Sequence, residues 1–310
     1  MFNSSKKKPP LKAKGIDNMP HTKAGMQYKE WHESKPKTNK WRNIRWGVLI
    51  SVNLLFMVSY LFGLSVLEGS LSGSRAFGFY LMDSYNALQV MTISIFDGYF
   101  WALTMNFWIG FFTILILYTI GGRTYCSWVC PYHLLAELGE KLHNYLVKKK
   151  KIKEHTYSIY LRFVFWIGFL LIALFTKNIV FEDINPVGII SRSLIYGPSI
   201  ALLWILALLL FEIAYSKRFW CRYACPVGAT WAITGQAALL DIKFELDKCA
   251  YCRDCQDVCL VPHELWFVEK GKATQDVHFT NSDCTRCGLC VDICSGDALS
   301  FTIKGIDKIL

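Results

Sequence analysis

The sequence lacks the motifs that mark several common cofactors. It contains no Cys-x2-Cys-His run for covalent haem, no glycine-rich dinucleotide fingerprint and no P-loop. None of its seven histidines lies within the long apolar runs, so a membrane haem held by paired histidines is not expected. A long polar segment without a twin-arginine pair precedes the first apolar run, so we expect no cleavable signal peptide.

Positive charge is concentrated at one end of the chain. The net charge is +10, and residues 1–46 carry twelve Lys or Arg against three acidic residues, whereas residues 241–310 carry eight against twelve. A basic nucleic-acid surface is therefore not indicated, because the excess charge flanks apolar runs as membrane proteins place it. We expect residues 1–45 to form a disordered basic cytoplasmic tail and no nucleic acid to bind.

Long apolar runs predict a membrane protein. Four of them are long enough to cross the ~30 Å hydrocarbon layer as helices; they are Trp46–Leu67, Tyr99–Ile120, Tyr157–Thr176 and Leu194–Tyr215. We therefore expect an α-helical membrane domain over residues 46–240, with four transmembrane helices arranged as two repeated hairpins. Basic residues cluster in segment 121–156 and are scarce in loops 68–98 and 177–193. This asymmetry predicts a multi-pass protein of the bacterial inner membrane with both termini cytoplasmic.

All twelve cysteines fall into four clusters, which indicates metal binding rather than a disulfide framework. Two C-terminal runs have the spacing Cys-x2-Cys-x2-Cys-x3-Cys, which is typical of two [4Fe–4S] clusters. In such runs the fourth cysteine binds the other cluster. The predicted sets are Cys249, Cys252, Cys255 and Cys294 for one cluster, and Cys284, Cys287, Cys290 and Cys259 for the other. The alternative of two zinc sites is disfavoured, since zinc usually binds paired Cys-x2-Cys knuckles.

Residues 241–310 are expected to form a small α+β two-cluster ferredoxin-like domain. Its alternating segments Asp241–Asp247 and Leu299–Lys304 are expected to pair as outer strands. The stretch departs from the usual ferredoxin pattern, because Leu260 and Ser295, rather than prolines, follow the fourth cysteines.

The remaining cysteines form a repeated Cys-x3-Cys-Pro motif. The pairs Cys126, Cys130 and Cys221, Cys225 are 95 residues apart, and the spacing of four predicts both sulfurs of a pair on one helical face. A repeat of this kind is expected to bring the two pairs together. The four thiols are candidates for a further metal centre or a redox-active thiol set, and simple packing remains the alternative.

Together these features resemble the NapH family, the membrane quinol dehydrogenase component of periplasmic nitrate reductase systems. The resemblance covers about residues 40–310 and depends on the Cys-x3-Cys-Pro repeat combined with the C-terminal double run. It implies a redox component, rather than a stand-alone enzyme, that oxidises quinol from the membrane pool in nitrate respiration. Electrons would pass to a periplasmic ferredoxin-type or cytochrome partner that feeds nitrate reductase.

Two alternatives remain open from the sequence. A CcoG-like or NosR-like polyferredoxin would act in metal-centre assembly or another reductase pathway. A membrane regulator would sense redox state through Cys126, Cys130, Cys221 and Cys225.

A quinol site requires polar and ionisable groups near a lipid-accessible pocket. The candidates near the outer ends of the apolar runs are Asp83, Asn86, Gln89, Asp97, Glu182, Asp183 and Asn185. Solvated loop residues are the alternative interpretation of this group. Glu212 lies near the other end of the fourth run and is either an interfacial carboxylate or a site residue.

Overall fold

The fold is described from a computed structural model. It covers residues 39–63, 67–76, 79–249 and 251–304. Residues 1–38 of the predicted tail therefore lie outside the described residues. Within its last part, helix begins at Lys40.

The described chain forms two compact units. One unit spans Trp46–Ala237, and the other combines the residues from Ala238 onward with the described residues before Trp46. The helices up to Ala237 are α1 (Lys40–Leu61), α2 (Ser84–Phe96), α3 (Met105–Gly121), α4 (Thr124–Trp128), α5 (Pro131–Lys148), α6 (Leu161–Thr176), α7 (Val180–Ile184), α8 (Pro186–Tyr196), α9 (Leu202–Ala214) and α10 (Pro226–Thr234). Short helical turns lie at Phe100–Ala102, Trp220–Ala224 and Gly235–Ala237.

The prediction of four transmembrane helices arranged as two hairpins is wrong. Among the described residues, only α1 is long and apolar enough to cross a membrane. The apolar helices α3, α6 and α9 have 17, 16 and 13 residues. At a rise of 1.5 Å per residue they extend about 26, 24 and 20 Å, less than the ~30 Å hydrocarbon layer.

Local breaks explain why these helices are shorter than the apolar runs. The fourth run is interrupted at Gly197, where φ is 100°, and at Pro198, so its first residues belong to α8 rather than α9. In the second run, Leu103 is extended and α3 begins only after Thr104. Apolar composition continues through such breaks, whereas helical hydrogen bonding does not.

A small antiparallel sheet precedes α2. Its strands are β1 (Leu67–Ser70), β2 (Gly73–Ala76) and β3 (Phe79–Met82), in the order β1-β2-β3. Within β1, position 69 requires glycine, because its φ is 92° and a side chain there would lie 2.6 Å from the Gly73 carbonyl oxygen.

Aromatic side chains dominate the core of the first unit. Tyr85, Phe181 and Trp231 are almost completely buried. The rings of Tyr85 and Phe181 meet edge to face at 5.1 Å, and Trp231 lies 4.2 Å from the ring of Tyr118. The Cys-x3-Cys-Pro cysteines belong to this same core, so they are positioned by packed rings rather than by loops.

The second unit contains a three-stranded antiparallel sheet. Its strands are β4 (Leu240–Glu245), β5 (Val277–Phe279) and β6 (Leu299–Ile303), with α11 (Asp254–Asp257), a helical turn at Pro262–Val268 and α12 (Leu289–Ile293) between them. The predicted pairing of the first and last segments is confirmed, because β4 pairs with β6. However, β4 is the central strand, since β5 pairs with its other edge.

The first turn of α1 packs within this second unit. The backbone N–H groups of Trp41 and Arg42 donate to the two carboxylate oxygens of Asp292, at 3.1 and 2.9 Å. The Trp41 ring lies 4.3 Å from that of Phe301, and a Cβ on Gly288 would lie 2.6 Å from Trp41 Cβ. Asp292 therefore caps the first turn of α1 from a distant part of the sequence.

Candidate functional site

The two C-terminal cysteine runs have the same backbone geometry. Tyr251 and Arg253 in the first run have positive φ angles of 57° and 67°, and the equivalent Arg286 and Gly288 in the second have 51° and 75°. Left-handed residues at these positions curl the chain and turn successive N–H groups toward one side. Each run therefore forms a loop that surrounds a common space.

Two cavities lie beside these loops, and each is lined by four cysteines. The first is lined by Cys249, Cys252, Cys255 and Cys294. The second is lined by Cys259, Cys284, Cys287 and Cys290. Each cavity thus takes three cysteines from one run and one from the other. Cluster binding by these two sets stays a prediction.

Backbone N–H groups donate hydrogen bonds to sulfur in both cavities. The N–H groups of Tyr251 and Arg286 donate to Cys249 Sγ and Cys284 Sγ, each at 3.4 Å. Similar bonds reach the fourth cysteine of each run, from Val261 to Cys259 Sγ at 3.4 Å and from Ala298 to Cys294 Sγ at 3.3 Å. Such donors stabilise negative charge on sulfur and tune the reduction potential of a bound iron–sulfur cluster.

The electrostatics and spacing of the sulfurs favour a cluster over a single metal ion. Burial raises the pKa of Cys249 to about 11 and that of Cys284 to about 12, so a metal cation is needed to keep them as thiolates at neutral pH. In the described chain, no three cysteine sulfurs lie within 4.8 Å of one another. Tetrahedral zinc would hold its sulfurs about 3.8 Å apart. Wider spacing fits a cubane, in which each thiolate binds a different iron.

The two Cys-x3-Cys-Pro motifs also share one geometry, but not the one expected. Cys126 lies within α4, whereas Cys130 is extended at φ −63° and ψ 117° and caps α5. Cys221 lies in the helical turn at Trp220–Ala224, whereas Cys225 is extended at φ −73° and ψ 110° and caps α10. The prediction of one shared helical face is therefore wrong, because the proline after the second cysteine disfavours helical backbone at that cysteine.

The core of the first unit brings these four cysteines together. Cys130 is 8% exposed, and Cys126, Cys221 and Cys225 pack against the same cluster of buried side chains. Burial, followed by the neighbouring charge of Cys126, raises the pKa of Cys225 to about 12. Burial and the charges of Cys126 and Cys225 also raise the pKa of Cys130. The charge of Cys126, in the first motif, thus affects the pKa of Cys225, in the second. The two cysteine pairs therefore lie close together, as the repeat predicts.

Charged side chains surround the four thiols, and the sequence pattern did not identify most of them. Arg218 is 2% exposed and forms an ion pair with Glu140 on α5. Arg123 approaches α10 so closely that a Cβ on Gly228 would lie 2.9 Å from its Nη2 atom. Glu212, an open candidate from the sequence, is buried and accepts the backbone N–H of Trp220 at 2.9 Å. The contact between Glu212 and the Trp220 N–H fixes the backbone immediately before Cys221.

The seven polar candidates from the sequence do not all lie together. Asn86, Glu182 and Asp183 line one cavity of about 910 Å³, a volume that includes its open mouth. Beside them, the Asn185 side-chain amide lies 3.5 Å from Asp83. The other two candidates are engaged elsewhere, since Gln89 donates to the Phe169 carbonyl and Asp97 pairs with Lys177.

Sequence reasoning missed several residues of this cavity. Ser70, Ser72, Arg192 and Tyr196 also line it. They lie in loops and short elements that are distant in sequence, so no local pattern connected them.

A comparison with known families supports the iron–sulfur assignment. A sequence family described as "4Fe-4S binding domain" matches residues 103–153 and 196–244. These two segments contain the Cys-x3-Cys-Pro motifs rather than the C-terminal runs. No solved structure matches this chain.

Individual relatives cover most of the chain. The "Ferredoxin-type protein NapH" of Escherichia coli is 32% identical over 242 residues, which is 75% of this chain and 81% of the relative. The "Methylamine utilization ferredoxin-type protein MauN" of Paracoccus denitrificans is 31% identical over 76% of this chain and 81% of the relative. The "Regulatory protein NosR" of Pseudomonas aeruginosa is 24% identical over 58% of this chain but only 30% of its own length. The chain therefore belongs to the family of ferredoxin-type NapH and MauN proteins, which are 4Fe–4S electron-transfer proteins.

Proposed function

We propose that this chain is a membrane-anchored quinol dehydrogenase subunit whose C-terminal unit holds two [4Fe–4S] clusters. The observation that carries the proposal is the pair of cavities, each lined by four cysteines. One cluster is bound by Cys249, Cys252, Cys255 and Cys294, and the other by Cys259, Cys284, Cys287 and Cys290. The apolar walls, the N–H donors to sulfur and the wide sulfur spacing support this ligand assignment.

Quinol oxidation matches this arrangement in electrons and protons. Oxidation of one quinol to quinone releases two electrons and two protons. Each bound cluster supplies one-electron redox chemistry, so two clusters accept the two electrons of one quinol. The chain's own carboxylates, Glu182 and Asp83 among them, offer acceptors for the protons.

We propose that α1 anchors the protein in the bacterial inner membrane. The helix exposes large apolar side chains, including Leu54, Leu55 and Leu61, which are 50–65% exposed. A continuous exposed apolar surface of this kind is stable against lipid rather than water.

Asp292 of the C-terminal unit binds the backbone of Trp41 and Arg42 at the N-terminal end of α1. The two clusters are therefore proposed to lie close to the Lys/Arg-rich end of this helix.

The four thiols of the Cys-x3-Cys-Pro motifs are proposed to form a further metal or redox centre. Their grouping in one buried core supports this role. The match of a 4Fe–4S-binding family to the two segments that contain them supports it independently.

The electron acceptor is proposed to be a periplasmic ferredoxin-type or cytochrome partner that feeds nitrate reductase, as the NapH relationship suggests. A second candidate pathway is methylamine utilization, because a MauN relative covers the chain equally well at almost the same identity. Purified partner proteins from the two pathways distinguish these candidates, since only the physiological acceptor should be reduced rapidly by the quinol-reduced protein.

Metal analysis tests the cluster assignment. Protein purified anaerobically should contain about eight iron and eight acid-labile sulfide for the two C-terminal clusters, and more if the Cys-x3-Cys-Pro centre also holds iron. Cys252→Ser should remove about four of each and change the electron paramagnetic resonance signal of the neighbouring cluster. Ser295→Ala, which alters the same cavity wall without removing a sulfur, should retain the full content. Stoichiometric zinc with negligible iron would refute the assignment.

A further inference from the structure

One side of α5 stays exposed from its middle to its C-terminal end. The exposed residues are Leu138, Lys141, Leu142, Tyr145, Lys148 and Lys149. Their spacing of three or four residues places them on a single face of the helix. The opposite side packs against α9, since His143 Nδ1 lies 2.9 Å from the Ile213 carbonyl oxygen and a Cβ on Gly139 would lie 3.5 Å from Ile213 Cγ1. The exposed face therefore points away from the core of the first unit.

The apolar part of this face is continuous. Leu138, Leu142 and Tyr145 are 46–52% exposed and follow one another on successive turns. Single exposed leucines are ordinary in proteins, whereas a row of large apolar side chains beside basic residues is typical of helices that lie in the membrane interface.

The charged part of the face is basic. Lys141 lies beside the apolar row, with the buried carboxylate of Glu137 3.8 Å away. Five lysines end the helix and continue after it; they are Lys148, Lys149, Lys150, Lys151 and Lys153. The next acidic residue, Glu154, is engaged with Lys217 at 2.9 Å. The segment of five lysines therefore presents positive charge that it does not neutralise itself.

The backbone keeps these lysines at the end of α5. Lys150 has a left-handed φ of 55°, and its N–H donates to the Val147 carbonyl at 2.9 Å. The Lys151 N–H reaches back to the Leu146 carbonyl at 3.1 Å, which closes the last turn. Lys149 Nζ lies 4.5 Å from the centroid of the Tyr145 ring. The basic and apolar parts therefore belong to one surface.

This surface lies beside the proposed membrane anchor. The Trp46 indole on α1 donates to both carboxylate oxygens of Glu137 on α5, at 3.3 Å. Lys141 Nζ lies 5.0 Å from the centroid of the same Trp46 ring. These contacts hold the middle of α5 next to the N-terminal part of α1, where the anchor would enter the lipid.

We propose that this face of α5 docks on the anionic phospholipid headgroups of the membrane that α1 enters. The inference rests on the proposed anchoring by α1 and adds a second, electrostatic contact with the same bilayer. Charge complementarity selects the occupant, because phosphate groups match the lysines. The boundary between headgroups and acyl chains covers the leucines and the tyrosine.

Hydrogen exchange of residues 138–153, measured by mass spectrometry on the full-length protein in nanodiscs, tests the proposal. One preparation contains phosphatidylcholine alone, and the other contains equal amounts of phosphatidylcholine and phosphatidylglycerol. The last turn of α5 should exchange at least about fivefold more slowly in the anionic lipid, since each lysine near such a surface contributes roughly this factor to binding. High salt should remove the difference, because it screens exposed charges.

Matched variants separate charge from apolar contact. Lys148→Gln combined with Lys149→Gln should remove most of the lipid-dependent difference, whereas Lys272→Gln, which removes an exposed lysine from the second unit, should leave it unchanged. Leu142→Asn should weaken the docking without altering the charge. Leu239→Asn should have no effect, although Leu239 is 45% exposed and Leu142 is 46% exposed.

The outcomes distinguish this inference from the proposed function. Equal exchange in both lipids, or an unchanged difference in the lysine double variant, would overturn docking on anionic lipid and leave the face to an acidic protein partner. Release of the protein from native membranes by alkaline carbonate would instead refute anchoring by α1. Quinol-dependent cluster reduction in phosphatidylcholine nanodiscs tests the proposed function separately, because it requires no anionic lipid.

Discussion

At the scale of single residues, Asp83 combines a structural role with an unusual titration. Its carboxylate caps α2 by accepting the Tyr85 N–H at 3.0 Å. Burial raises its pKa from 3.8 to about 7, opposed by the Tyr85 hydrogen bond, and the nearby Glu182 charge raises it further. Asp83 is therefore protonated in the folded protein at mildly acidic pH, where the unfolded chain has already lost this proton.

This difference predicts that Asp83 makes folding pH dependent. Because the folded state binds the proton more tightly, the contribution of Asp83 to stability is largest below pH 4 and is lost as pH rises to about 7. Asp83→Asn should remove this component. The melting temperature of the variant, compared with that of the unmodified protein at the same pH, should therefore rise between pH 5 and pH 8. Melting temperatures in detergent across this range provide the measurement. An identical pH profile for both proteins would show that Asp83 does not titrate in this window.

At the scale of elements, the first turn of α1 depends on a side chain about 250 positions away. Asp292→Ala removes both oxygens that accept the Trp41 and Arg42 N–H groups and should destabilise this turn by about 1 kcal/mol. Hydrogen exchange at these two amides should accelerate, by roughly fivefold for 1 kcal/mol. Asp292→Asn keeps one acceptor oxygen and should show a smaller effect. Unchanged exchange in Asp292→Ala would mean that the Trp41 packing alone holds the turn.

Some features of the helices, strands and loops could be predicted from the sequence, and others could not. The spacing of each run predicted its first three cysteines as one group, because these are neighbours in sequence, whereas the fourth member came from the ferredoxin pattern. Their binding of clusters stays a prediction. The helix lengths did not follow from apolar composition, and the break signal at Gly197 and Pro198 was not used in predicting the fourth run. The contacts of Glu182 with Ser72 and Asn86 span 110 and 96 residues. Only the folded chain brings such partners together.

At the scale of the whole molecule, the repeated motifs and the C-terminal runs predict separable roles. Cys126→Ala combined with Cys221→Ala should abolish quinol-dependent reduction while both C-terminal clusters remain, because those clusters draw all their ligands from other residues. Reduction by dithionite bypasses quinol and should give unchanged cluster signals. Normal quinol turnover in this double variant would show that the four thiols only pack in the core. Loss of the C-terminal signals as well would point to failed assembly.

The crossed grouping of the C-terminal cysteines has a consequence for biogenesis. Each proposed cluster draws one ligand from the other run, so neither ligand set is complete until the ribosome has passed Cys290 and Cys294. The ligand set that begins with Cys249 is completed only 45 residues later, at Cys294. Insertion of both clusters is therefore necessarily late, after nearly the whole chain has been translated. A chain truncated between Cys259 and Cys284 would leave the assembly machinery with four thiols that cannot complete either centre.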